Sequence, residues 1–377
     1  MGLVLMQDQS FEQVKELFLN YVNDFDPSDK ESNELKVFVN SEPVQHLINS
    51  GRQDNDNLNS IVTLFGEALS CSNLYRASLC GFFIGYYAET GITSKDADLK
   101  LMRFFCMSIN KCLKLLNKCK ENRLAIEEFL VDSNMFSTDV GVIVDEYRHI
   151  ADLWDAMPML ALGVISRICA EKELRDLLRD DPECRVNCEE LETFFEDVGR
   201  VAVILGMIED ETVLFIYTQK KLGYEVRLQE IDSNFLMFTL FQNRLYHERE
   251  FKKLGVKNYS YDPIIEKAAL HLFEAFEQYP ENLYDKCCFG YHPFTALNSD
   301  GSIDDANLVW GEGNLHQLPV IDGRFVILLS EPTIERSWGN AFITSIHVNL
   351  RPSLEIIRKL SHSEVLEWIV KIKSQIQ

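Results

Sequence analysis

The chain has 377 residues, 46% apolar and 25% charged, with 24 phenylalanines, which excludes a disordered polypeptide and supplies bulk for more than one core. Its formal charge of −22 argues against a nucleic-acid or anionic-membrane surface, because both need clustered Lys and Arg. The same acidity fits a basic protein partner if it is focused on one face.

Residues 1–6 form an apolar stub that Gln7 and Asp8 end too soon for the core of a signal peptide, and Met6 stands where a myristoylation motif has Ser or Thr. No apolar run approaches the roughly 20 residues that span a bilayer, and 201–208 is the type of run found. Ten cysteines, among them Cys106, Cys112 and Cys169, fall within helical apolar patterns. They read as buried free thiols of a reducing compartment, so a cytoplasmic location is expected.

Ser10 and Gln13 make a capping box, and Phe11, Val14, Leu17, Phe18, Tyr21 and Val22 give one apolar helical face. Asp26-Pro27 starts a polar loop. Glu42-Pro43 opens a short helix carrying Val44, Leu47 and Ile48, closed by Gly51; 54–59 reads as a second polar loop. Asn73 caps a helix that ends at Gly91, and its small residues Ala77, Cys80, Gly81, Gly85 and Ala88 let another helix approach closely. Thr93 and Asp96 cap a long helix through Leu101, Phe104, Phe105, Ile109, Leu113 and Leu116. Further helices are expected over 121–130, 138–155, 158–178 and 188–207, with Pro158 in a first turn or at a kink. The sum is an α-helical bundle or irregular solenoid over 1–182, ended by the Asp180-Asp181-Pro182 break.

The period changes after Glu209-Asp210-Glu211. Residues 213–217 and 224–228 read as strands of a hairpin, and Asn234 begins a helix through Phe238, Phe241 and Leu245. Asp262-Pro263 starts another, with Ile264, Ile265, Ala268, Leu272, Phe273 and Phe276 on its buried side. Asp300-Gly301 and Asp322-Gly323 mark turns, the second leading into a strand over 324–330. An alternating stretch, 342–350, is expected to pair beside it. Ser361 and Glu364 box the start of a last helix with Val365, Leu366, Trp368 and Ile369. The fold class is therefore mainly α, the helical region followed by a smaller α+β region over 183–377 with an antiparallel sheet.

Chemistry-bearing patterns are sparse. Glu146-x-x-His149 has the spacing of a carboxylate-bridged di-metal helix, but the second such pair is missing. The stretch 296–307 places Asn298, Asp300, Gly301, Ile303 and Asp304 near the positions of a calcium loop, with Ala296 and Asn307 where anchoring carboxylates belong. Cys287-Cys288 with His292, and Cys184-x-x-x-Cys188, lack zinc-ligand spacing. No metal and no cofactor are expected, and no phosphate loop, dinucleotide fingerprint or nucleophile elbow occurs.

The unusual residues gather in 308–338. Gly311-Glu312-Gly313 follows Trp310 and implies a special backbone path. A catalytic reading gives Glu312, His316 and Asp322 acid–base roles, with Arg324 or Arg336 clamping an anion, as in a hydrolase. A binding reading takes Trp310, Arg336 and Trp338 as contact residues, since Trp and Arg dominate interface hot spots. The acidic stretch Glu189, Glu190, Glu192, Glu196 and Asp197 reads as a solvated helix face that could meet a basic partner. The leading expectation is a protein-binding or regulatory protein without classical catalysis, in the manner of an immunity protein or antitoxin. A basic protein is its expected partner, with no nucleic acid and no membrane.

Overall fold

The computed structural model describes residues 11–24, 34–53, 55–122, 148–256, 261–273 and 282–376, and divides into two compact units, Met1–Leu205 and Gly206–Gln377. It is mainly helical in the first unit and α+β in the second. The Asp180-Asp181-Pro182 break lies inside the first unit. Asp181 caps a helix there, its carboxylate accepting from the Glu183 N–H at 3.1 Å, and Pro182 fills the first turn.

The first unit contains helices α1 (Phe11–Asn23), α2 (Glu34–Asn40), α3 (Glu42–Gln53), α4 (Asn55–Ala68), α5 (Leu74–Glu89), α6 (Lys95–Glu121), α7 (Arg148–Ala170), α8 (Lys172–Arg179), α9 (Pro182–Leu191) and α10 (Glu196–Leu205). Several expectations change, among them the helix expected over 188–207, which is split into α9 and α10, and the closure at Gly51, which α3 passes to end at Gln53. The polar run after position 54 is helical from Asn55, because Ile61, Leu64, Phe65 and Ala68 anchor α4 in the core. Ser94 rather than Thr93 caps α6, its hydroxyl facing the Ala97 N–H at 3.5 Å. Pro158 sits inside a continuous α7, and the chain breaks at Glu171. Ser10, Asp26-Pro27, Glu146 and most of 121–147 lie outside the described residues, as do the side chain of His149 and Phe276.

The small residues of α5 do what their size allows. A Cβ on Gly85 would stand 2.5 Å from the Gly163 Cα, and one on Gly163 would stand 2.3 Å from the Gly81 carbonyl, so α5 and α7 touch backbone to backbone. A buried bidentate pair fixes the neighbouring helix: Arg167 Nε and Nη2 reach the two Asp98 oxygens at 2.7 and 2.9 Å. Arg175 closes the end of α7 by donating to the Ile168 carbonyl at 2.6 Å. Within α7, Asp152–Ala170 has a mean hydropathy of 1.4 over 19 residues, which is long and apolar enough to cross a membrane. The expectation that no apolar run reaches that length is corrected: Asp155, Pro158 and Arg167 punctuate the run and lower its mean, but the apolar residues around them keep it at 1.4. It is 67% buried inside the unit, as a core helix is when neighbours cover most of its faces.

The second unit contains strands β1 (Glu211–Tyr217), β2 (Leu222–Gln229), β3 (Tyr284–Lys286), β4 (Gly290–Pro293), β5 (Val320–Ile321), β6 (Arg324–Ser330), β7 (Ser337–Gly339) and β8 (Ser353–Lys359). Its helices are α11 (Asn234–His247), α12 (Phe251–Leu254), α13 (Pro263–Ala269), α14 (Asn340–Ile343) and α15 (His362–Ile376). The six-stranded sheet runs β4-β6-β1-β2-β8, with β5 also on β6. β1 and β2 form the expected hairpin, but β6 runs parallel to β1, so the sheet is mixed rather than antiparallel. Asp322 and Gly323, with φ of 49° and 71°, make the tight turn from β5 into β6.

The expected strand over 342–350 is absent. Ile343 is buried from the short α14, and the edge strand is β8, paired to β2. Its side chains are mostly exposed, so no clean alternation advertises it. The sheet's two faces follow the period of two. Phe215, Tyr224 and Tyr291 face α11, where Phe215 stacks on Phe241 at 3.9 Å and Tyr291 on Phe238 at 3.8 Å. Leu214, Ile216, Val326 and Leu328 face Val365 and Ile372 of α15.

Candidate functional site

The segment 307–317 is tied down at nearly every second residue. The Asn307 carbonyl accepts from His292 Nδ1 at 2.8 Å, and the Val309 N–H donates to the Tyr291 carbonyl at 2.8 Å. The start of α11 then takes over. Its first N–H groups have no partner within the helix; those of Asn234 and Phe235 donate to the carbonyls of Gly313 and Gly311 at 2.8 and 3.0 Å. The Asn234 side chain donates to the Trp310 carbonyl at 2.8 Å. Asn314 ends the segment with a capping box to Gln317, and its amide donates to the Gly206 carbonyl at 3.1 Å.

This close approach explains the two glycines. A Cβ on Gly311 would stand 2.1 Å from the Phe235 ring, and one on Gly313 would stand 2.5 Å from Gln317 Oε1. The backbone is fixed, yet the Trp310 indole is 64% exposed and Glu312 beside it is exposed. From 299 to 323 the chain carries Asp300, Asp304, Asp305, Glu312 and Asp322 and no Lys or Arg. The result is a rigid, locally acidic loop presenting one large aromatic side chain.

The other two residues of the expected binding set lie elsewhere in the energetics. Trp338 is 3% exposed, packs against Phe235 at 4.9 Å and donates from Nε1 to Thr239 Oγ1 at 2.9 Å. Arg336 is half-buried, with its guanidinium 5.9 Å from the Phe238 ring centre and 3.4 Å from the Val309 carbonyl. Trp338 is a core residue, Arg336 braces the loop from behind, and Trp310 is the exposed member.

Glu312, His316 and Asp322 are each exposed and have different surroundings. Asp322 pairs with Lys371 of α15, and the His316 ring meets the edge of Phe325 at 5.9 Å. Arg324 is engaged at Glu225, whose carboxylate it holds below the usual range by a 2.7 Å hydrogen bond, with Arg358 on the other oxygen.

The metal patterns dissolve into local hydrogen bonds. Asp300 accepts from the Ser302 N–H and hydroxyl, and Asp304 from the Ala306 N–H, so both serve turns. Cys287 donates to the Phe289 carbonyl at 2.9 Å. Among the described residues no three His, Cys, Asp or Glu side chains are grouped to hold a metal ion.

Two buried polar groupings escape sequence reasoning. His292 is fully buried between the Asn307 carbonyl and Ser330 Oγ, the latter 2.9 Å from Nε2. Burial keeps the ring neutral. Nδ1–H then donates to the Asn307 carbonyl, and the Ser330 hydroxyl lies 2.9 Å from both Nε2 and the Glu331 carbonyl, which share it. Both side chains are sealed inside the covered sheet, where the pair ties β4, β6 and the 307–317 segment together. Gly290 makes room for it, since a Cβ there would stand 2.3 Å from Ser330 Oγ.

The second grouping joins Trp338 to α11 and β3. Gln242 donates to Asp285 at 3.3 Å and to the Lys286 carbonyl at 3.1 Å, and accepts from the Cys288 N–H at 2.7 Å. Burial pushes the Asp285 carboxyl up to about 6, against the Thr239 and Lys286 hydrogen bonds that lower it. The partners of Gln242 lie 43 and 46 residues away and those of His292 15 and 38, so no local motif announces either grouping. The buried polar types in otherwise apolar runs, His292 in a strand and Gln242 in an aromatic helix, were the available signal.

In the first unit, the acidic stretch is largely paired within its own helices. Glu189 meets Arg185 at 2.8 Å, Glu196 meets Arg200 at 2.6 Å, and Glu190 meets Lys120 at 3.0 Å. Comparison with known proteins gives no match: no family model, no curated protein and no solved structure matches the chain.

Proposed function

We propose that the protein is a protein-binding or regulatory protein without classical catalysis, and that it engages a basic protein partner through the loop around Trp310. The single observation that carries this reading is a 64% exposed indole on a backbone already hydrogen-bonded in place. A large aromatic on a preorganised loop buries area on binding with little ordering entropy left to lose. The exposed Glu312 beside the indole, in a run of sequence without a Lys or Arg from 299 to 323, supplies the complementary charge. A neutraliser of a basic protein, like an immunity protein or antitoxin, is the subtype that this acidity fits, acting in the cytoplasm.

The test is affinity capture from native lysate at low and moderate salt, with wild type and Trp310→Ala compared. The expected result is a stoichiometric partner of basic composition, weakened by salt and reduced at least about tenfold by the substitution, the loss of one hot-spot residue. No stoichiometric partner at either salt overturns the proposal. The hydrolase reading stands second. Its groups, Glu312, His316 and Asp322, have separate neighbours, and Asp322 is occupied by Lys371.

A further inference from the structure

Ten cysteines are free thiols, and one pair of them bridges two helices of the first unit. Cys106 on α6 and Cys184 on α9 face each other with Sγ atoms 3.9 Å apart. Around them the helices are held side by side by polar contacts, with Asn187 donating to Asn110 at 2.9 Å and Lys120 to Glu190 at 3.0 Å. The two thiols are thus presented by elements that already pack in register. A disulfide needs a sulfur separation of about 2.0 Å, so the two sulfurs have about 2 Å left to close by a change of side-chain rotamer and a small shift of the helices. Cys184 is buried, whereas Cys106 is partly open to solvent, so the pair has one thiol that an oxidant can reach.

We propose that Cys106 and Cys184 are a disulfide-forming pair, a covalent modification site at which a hydroperoxide ties α9 to α6. The step is a two-electron oxidation. The hydroperoxide oxygen transfers to the Cys106 thiolate sulfur, giving a sulfenic acid and, from hydrogen peroxide, one water. The Cys184 thiolate then attacks that sulfur, the S–S bond forms, and the sulfenic oxygen leaves as a second water. Two thiols are oxidised and one peroxide O–O bond is reduced. The mutual hydrogen bond and burial hold the Cys106 thiol well above its ordinary range. The reaction is therefore slow at neutral pH and accelerates in alkali, unlike that of a low-pKa sensor thiol. Cys188, one turn beyond Cys184 on the same helix, is the competing partner.

The chain's own tryptic map separates the alternatives. Cleavage after Arg103 and Lys111 isolates Cys106 in 104–111, and cleavage after Arg179 and Arg185 isolates Cys184 in 180–185, apart from Cys188. The folded full chain is treated with hydrogen peroxide at pH 8.5, its remaining thiols are alkylated, and the digest is analysed without reduction by mass spectrometry. The expected product is 104–111 linked to 180–185. It should be reversed by dithiothreitol and accompanied by a rise of about 5 °C or more in the melting midpoint of the first unit, since a long loop is closed. Cys106→Ser should abolish both. The inference is overturned if Cys106 accumulates as sulfinic or sulfonic acid without the link, if the link runs to Cys188, or if neither thiol reacts on prolonged treatment.

Discussion

Trp310 and Trp338 bracket the same stretch of sequence and reach opposite ends of the burial scale, 64% and 3% exposed. Around Trp338 side chains do the holding: Phe235, Phe238 and Thr239 enclose the indole, and Gln242 with Asp285 continues the buried network. Around Trp310 the backbone does it. Loop carbonyls meet the free N–H groups of α11, and glycines let the two chains touch. The contrast teaches that one residue type is core in the first setting and available in the second because of who satisfies the neighbouring polar groups. A buried indole needs a hydrogen-bond acceptor of its own, which Thr239 provides. Trp310 leaves its indole in solvent while its carbonyl is satisfied by Asn234.

Substitutions should separate the two regions by magnitude. Trp338→Ala empties a packed site and removes the donor to Thr239, and is expected to cost about 3–5 kcal/mol in urea unfolding of the second unit. The pH dependence comes next. Burial pushes the Asp232 carboxyl up to about 6, even though it accepts from the Ile346 N–H at 2.6 Å. The folded unit therefore retains a proton that the unfolded chain releases near pH 4. Stability falls as pH rises from about 4 to 6, and the full cost of the buried charge is present above that. Asp232→Asn should reduce this fall, leaving the share of Asp285, whose carboxyl burial also raises to about 6, and raise stability at pH 7 by about 2 kcal/mol, read from unfolding midpoints at pH 4.5 and 7. Glu225, held low by Arg324, acts only below its own unfolded range, where its stabilisation is lost as pH falls, so the upper window reports the two buried aspartates, Asp232 and Asp285.

Gly311→Ala tests the backbone contact directly. Its new Cβ meets the Phe235 ring, so the loop must lift, at a cost of about 1–3 kcal/mol, with faster amide exchange at Asn234 and Phe235. Trp310→Ala is the smallest in stability, within about 0.5 kcal/mol of wild type by the same unfolding measurement, because an exposed side chain loses little. Equal stability losses at Trp310 and Trp338 would erase the distinction between the two regions.

Much of the fold was legible because the signals were local. The helical first region, the β1–β2 hairpin, the Asp322-Gly323 turn and the caps at Asn73 and Ser361 all rest on neighbours within a few residues. The special backbone path at Gly311 and Gly313 was legible too, although its cause, the approach of Phe235 and Gln317, was not. What failed was non-local. The parallel pairing of β1 with β6 joins residues far apart in the chain, and an exposed edge strand such as β8 carries little pattern to read. Trp338 and Trp310 could not be told apart because neither lies in a stretch long enough for periodicity to show, Trp338 being on the three-residue β7. Thr239, which decides the first case, lies 99 residues from Trp338.

The most direct test of the recognition surface is a capture experiment on three forms of the chain, with binding to the recovered partner quantified at two salt concentrations. Trp310→Ala is set beside wild type and Val370→Ala, a change at a 68% exposed apolar residue of α15, whose buried residues pack on the opposite face of the sheet from α11. The account predicts that Trp310→Ala lowers partner binding at least about tenfold at unchanged stability, while Val370→Ala binds as wild type does. Undiminished binding by Trp310→Ala, or the same loss in both variants, would contradict it.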